Sequence, residues 1–157
     1  GQVTCKALGK GITFHLPPVE HDTESTSPMA AKLFVSSANR DADLFLIVRV
    51  FDPQDKELTF MGCTDPNTPI ANGRLRMPHC ALDPVKSKPY RPWHPHDKAE
   101  PLTPGHVYEC DTAIVTSCIV VPKGCVALTT KGCDLDMKVN SPNSPRSSTS
   151  AHEALAA

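Results

Sequence analysis

The residues whose types and spacing could do chemistry gather in Trp93-His94-Pro95-His96-Asp97-Lys98-Ala99-Glu100. Two histidines one residue apart project the same way from a strand, and a carboxylate four residues later could join them on a metal ion. Pro95 separates the histidines, with Pro92 and Pro101 close by, so the segment makes a poor strand. A fourth ligand would have to come from a distant element, and the later histidines are His106 and His152. The balance falls on an ordered surface or interdomain loop, with His94, His96 and Glu100 as the candidate metal ligands.

Other constellations are weaker. The seven cysteines, Cys5, Cys63, Cys80, Cys110, Cys118, Cys125 and Cys133, are odd in number and contain no C-x-x-C pair. Zinc sites use such pairs to bring thiolates into a tetrahedron, so these thiols read as small buried hydrophobes. No G-x-S-x-G nucleophile elbow occurs. Gly9-Lys10-Gly11 lacks the spacing of a phosphate loop. Asp41/Asp43 and Asp134/Asp136 could bind calcium but read better as solvated strand ends. Tyr90, Trp93 and Tyr108 could stack a sugar, although core and loop anchoring is the plainer role. No catalytic residue and no cofactor is assigned.

These residues need elements to position them. The chain has 157 residues, which suits one domain. Its 16 prolines are about twice the usual frequency, and proline breaks helix interiors, so short strands joined by turns are expected. A formal net charge of −1 without basic blocks excludes a nucleic-acid footprint. No apolar run reaches the ~18 residues needed for a membrane helix. Gly1-Gln2-Val3 carries no signal-peptide pattern and no initiating Met. The expectation is a processed chain or a fragment, and the odd cysteine number favours the cytoplasm.

Strands are predicted at residues 12–14, 30–37, 43–51, 57–61, 106–114, 117–121 and 125–130. Residues 43–51, Asp-Leu-Phe-Leu-Ile-Val-Arg-Val-Phe, are almost continuously apolar, as in a strand buried on both faces. Gln54-Asp55 turns the chain into a hairpin. Residues 15–28 read as a loop and 70–77 as a strand or an irregular segment. Residues 78–105 are a long Pro-rich excursion, a length that usually has a job. In the 106–114 strand, Tyr108, Cys110, Thr112 and Ile114 should face inward. From about residue 138 the composition shifts to Ser, Pro, Asn and Ala, so the expected division is a β-domain over 1–137 and a disordered tail over 138–157.

Several segments together resemble one known domain. They are Pro28-Met29-Ala30-Ala31-Lys32-Leu33-Phe34-Val35-Ser36-Ser37, Asp41-Ala42-Asp43-Leu44-Phe45-Leu46-Ile47-Val48-Arg49-Val50-Phe51-Asp52-Pro53, Asn72-Gly73-Arg74-Leu75-Arg76, Pro89-Tyr90-Arg91-Pro92-Trp93-His94-Pro95-His96-Asp97, Leu102-Thr103-Pro104-Gly105 and Val120-Val121-Pro122-Lys123-Gly124. Their order and spacing are similar to the C-terminal domain of the X-Pro dipeptidyl-peptidase and cocaine esterase (CocE/NonD) family of serine hydrolases. The resemblance implies an all-β fold, a galactose-binding-like jelly-roll β-sandwich. It also implies an α/β-hydrolase catalytic domain as partner, in cis or in trans, holding the Ser-Asp-His triad. No triad position falls in this chain. The family domain usually ends in a closing strand that is not evident after residue 137.

The expected function is therefore an accessory module of a dipeptidyl-peptidase- or esterase-type hydrolase. The alternatives are a stand-alone carbohydrate- or protein-binding β-sandwich and a cupin-like metal enzyme using His94, His96 and Glu100.

Overall fold

The computed structural model describes residues 3–5, 11–26, 28–59, 71–115, 118–121, 125–132 and 154–156. Its strands are β1 (Val3–Cys5), β2 (Ile12–His15), β3 (Thr23–Thr26), β4 (Met29–Ser37), β5 (Asp43–Phe51), β6 (Glu57–Leu58), β7 (Ala71–Arg76), β8 (Val107–Val115), β9 (Cys118–Val121), β10 (Cys125–Lys131) and β11 (Ala154–Ala156). A single 3-10 turn, Met77–His79, follows β7. The larger sheet runs β1-β11-β4-β8-β7-β5-β10-β2 with β6 beside β5, and β3 and β9 form a second, two-stranded sheet. All the pairings are antiparallel. The fold is all-β, a curled antiparallel sheet with a small companion in a β-sandwich domain.

The core follows from strand alternation. On β5, Leu44, Leu46, Val48 and Val50 are buried on one face. Registered beside them are Leu75 and Ala71 of β7, and Val126 and Leu128 of β10. On β8, Cys110, Thr112 and Ile114 are buried and Tyr108 is half-buried, which is the face expected from the sequence. Ile47 points the other way and is only 2% exposed, so the centre of β5 is covered on both faces. That double burial explains its unbroken apolar run. Full burial of one such side chain stabilises the fold by about 1.5–3 kcal/mol.

The β5–β6 hairpin is built by Asp52. Its Oδ1 accepts from the backbone N–H groups of Gln54 and Lys56, each at 2.9 Å. Asp55 takes φ 61°, in the left-handed region that Asp tolerates. β6 is shorter than expected, because Thr59 is not paired and residues 60 and 61 lie outside the described residues.

One reading changes, and one strand lies outside the predicted set. Thr23–Thr26, inside the stretch read as a loop, pairs with β9 from Thr23↔Val121 to Thr26↔Cys118. Thr-Glu-Ser-Thr has no apolar face of its own, so only its partner makes it a strand. Ala154–Ala156, inside the segment expected to be disordered, pairs with Ser37, Ser36 and Val35 of β4 and with β1. Three residues of Ala-Leu-Ala show no readable alternation. The intervening residues 133–153 lie outside the described residues.

Candidate functional site

The Pro-rich excursion is an ordered strap. It leaves β7 through the 3-10 turn, which buries Met77 and Pro78. Asp83 then organises a turn, with Oδ1 accepting from Val85 N and Lys86 N at 2.9 Å each. Ser87 Oγ accepts from Trp93 N at 3.0 Å, and Asp83 N donates to Trp93 O at 2.9 Å. Lys88 and Arg91 exchange backbone hydrogen bonds. The Lys86 ammonium lies 5.6 Å from the centre of the Trp93 ring. The strap returns where Glu100 N donates to Pro78 O and Leu102 N to Arg40 O, each at 2.8 Å. Leu102 then enters the core beside Leu44, Leu75 and Cys110.

The candidate ligands His94, His96 and Glu100 do not converge. His94 Nε2 lies 2.9 Å from Asp111 O and its Nδ1 3.2 Å from Ala81 O. Both nitrogens thus face backbone carbonyls, one of them donating its N–H, and neither is turned toward a shared metal position. Glu100 is exposed, and its charge acts against the Cys80 thiolate. Among the described residues no three His, Cys, Asp or Glu side chains are placed to hold a metal ion. The histidines instead form a row, with ring centres 5.9 Å apart for His94–His96 and 5.6 Å for His79–His96. His79, distant in sequence, had no signal beyond following Pro78. His96 holds φ 55°, a conformation that costs a non-glycine residue free energy.

An open cavity of about 670 Å³ lies along the strap, walled by Asn72, Arg74, Trp93, His94, His96 and Val115. Trp93 is 47% exposed there. Tyr108 is not part of it: its hydroxyl accepts from Thr103 N at 2.9 Å and its ring packs on the core. The Tyr90–Trp93–Tyr108 platform is therefore not assembled. Asp41 is engaged with the Arg76 guanidinium, so the Asp41/Asp43 pair is not an open calcium site. Asp134 and Asp136 lie outside the described residues.

The thiols hold more than the sequence showed. Cys110 is fully buried, as expected of a small hydrophobe, but Cys80 and Cys125 are only half-buried. Cys80 packs on the core cluster that contains Cys110, whose Sγ lies 3.4 Å from Met77 Sδ. The Cys110 thiol draws the Cys80 thiol from 9.0 down to about 7, against the opposing effects of burial and Glu100. Cys80 and burial push the Cys110 thiol up. Cys125 Sγ lies 3.1 Å from Leu16 O and 3.9 Å from His15 Nδ1. The carbonyl is the shorter contact, and the imidazole stands at the edge of hydrogen-bond range.

With no nucleophile elbow and no metal cluster assembled among the described residues, the architecture itself carries the comparison. The family described as the X-Pro dipeptidyl-peptidase C-terminal non-catalytic domain matches residues 6–154. The chain belongs to this family. Two crystal structures of a CocE/NonD family hydrolase from Staphylococcus aureus superpose on this domain with TM-scores of 0.89 and 0.88, each at 22% identity. Each match covers 99% of this chain and 30% of the hydrolase chain, so the domain spans less than a third of that protein. At that identity the likeness is one of fold. An aminopeptidase from a marine sediment archaeon, Thaumarchaeota archaeon, superposes with a TM-score of 0.53 at 15% identity, covering 92% of this chain and 23% of its own. No curated protein sequence matches the chain. Among the described residues no helix is long and apolar enough to cross a membrane.

Proposed function

We propose that this chain is the accessory β-sandwich, galactose-binding-like and jelly-roll in type, of a serine hydrolase acting on X-Pro dipeptides or small esters. Catalysis then belongs to an α/β-hydrolase domain against which it packs, in cis or as a separate product. The observation that carries this reading is the match of residues 6–154 to a domain described as non-catalytic. The absence of any G-x-S-x-G in the sequence agrees with it.

The test is enzymatic. The purified chain is assayed on X-Pro dipeptide amides and small esters, alone and after mixing with a separately purified α/β-hydrolase domain of a CocE/NonD family hydrolase. The expected result is no turnover alone and a stable complex on mixing. Hydrolysis by the chain alone that survives rigorous purification overturns the reading.

One observation favours a second reading, a carbohydrate-binding module. The cavity beside Trp93 joins an exposed aromatic face to the polar Asn72 and Arg74 side chains, the mixture that orients a small polar ligand. A glycan array probed with the labelled chain tests it. A blank array ends the sugar version.

A further inference from the structure

The cavity along the strap is furnished with hydrogen-bond donors and positive charge, and among the described residues no Asp or Glu side chain lines it. Asn72 and Arg74 are exposed positions of β7, two residues apart, so strand alternation turns both to the same side of the sheet. The strap supplies Trp93 and His96, and Val115, 80% exposed, adds an apolar wall. The volume of about 670 Å³ lies in the range of small-molecule sites.

The polar groups of this wall are largely unengaged. Among the described residues the Asn72 side chain makes no hydrogen bond. His96 has ring contacts with His79 and His94 and no hydrogen bond to its imidazole. It keeps its place at φ 55°, and strain of that kind gathers where a ligand is clamped. The Arg74 guanidinium rests 5.8 Å from the centre of the Phe45 ring. Lys86 adds a second cation 5.6 Å from the Trp93 ring centre, with Asp83 Oδ2 3.9 Å from its ammonium. His94 takes no part, since its nitrogens face carbonyls.

The excess of donors decides the ligand. Arginine carries five N–H donors and no acceptor. As acceptors these side chains offer only the Asn72 amide oxygen and one nitrogen of a neutral His96. A neutral sugar hydroxyl needs both kinds of partner. A carboxylate only accepts, and a guanidinium grips it with two parallel bonds. The exposed Trp93 face and Val115 suit a ring with an apolar face.

We propose that this cavity binds a small organic carboxylate, its acid group held by Arg74 with Asn72 and His96 and its ring laid on Trp93. Two sources share that chemistry, a uronic acid unit of a glycan and a free aromatic acid. The first rests on the carbohydrate reading above, and the second stands without it.

Trp93 is the single tryptophan of the chain, so tryptophan emission of the full chain reports on this cavity alone. The chain is titrated with glucuronate and benzoate, and with glucose and benzyl alcohol as uncharged counterparts. The expected result is a saturable change in emission with at least one of the acids and with neither uncharged compound. A response to glucuronate assigns a uronic acid unit, and one to benzoate alone assigns a free acid. Arg74→Gln should weaken binding roughly tenfold or more, and Asn72→Ala, which leaves the guanidinium in place, roughly fivefold. Thermal unfolding checks that each variant keeps the parent Tm. A response to glucose equal to that of glucuronate overturns the carboxylate inference and leaves the sugar reading standing. Silence with both acids overturns it as well, and so does an affinity that both variants leave unchanged.

Discussion

His94 Nε2 lies 2.9 Å from the carbonyl oxygen of Asp111, so the imidazole ties the Pro-rich strap to the middle of β8. The second ring nitrogen reaches Ala81 O at 3.2 Å within the strap itself. The residue that looked most like a metal ligand is a structural pin. Its removal is expected to cost about 1 kcal/mol, the usual net value of such a bond. In His94→Ala, amide exchange should accelerate across residues 81–98 while the core strands β5 and β10 keep their protection. Equal acceleration in strap and core would refute a local pinning role.

Gly73 sets how closely β7 and β8 approach. A Cβ at this position would stand 2.5 Å from Ala113 O and 3.2 Å from Ile114 Cγ1. Because the first of these is backbone, the strand itself must move. Gly73→Ala is therefore expected to destabilise the domain by roughly 1–3 kcal/mol, the range for overpacking, measured by urea denaturation. A neutral or stabilising effect would show that the β7–β8 spacing is adjustable.

Thr112 carries a hydroxyl into the core without a use for it. Its side chain is fully buried on the inward face of β8, and its Oγ1 has no hydrogen-bond partner among the described residues. A buried unsatisfied hydroxyl costs about 1–3 kcal/mol, and valine has nearly the same shape. Thr112→Val should raise stability by about 1 kcal/mol or more in the same denaturation experiment. A loss of stability would mean that the hydroxyl has a partner in solution, such as bound water.

The lowered Cys80 thiol makes a pH prediction. The thiolate is the nucleophile, and the Cys80 pKa is lowered, so reactivity is present above that value and is lost as pH falls through it. Iodoacetamide labelling at Cys80, followed by peptide mapping, should be half-maximal near pH 7, the value about which this thiol titrates. In Cys110→Ala the midpoint should rise toward the ordinary 9.0. An unmoved midpoint in that variant would show that Cys110 does not support the thiolate.

The sequence by itself determined the elements whose own residues dictate them. The β5 run from Asp43 to Phe51 is strand because of its branched and aromatic side chains, and the inward set on β8 follows from alternation. The resemblance lay in these same segments, and the family match confirms it. The absence of an elbow serine was also legible, because that motif is local.

Tertiary structure decided what depends on partners. Thr23–Thr26 and Ala154–Ala156 are strands only because β9 and β4 pair with them. Backbone hydrogen bonds supply the energy there, and backbone groups are the same in every sequence. The destination of each polar side chain was hidden for a related reason. His94 faces carbonyls and Asp41 faces Arg76, while Cys110 meets Met77. Each of these contacts joins residues remote in sequence, and no local spacing rule records which of them the curl of the sheet brings together.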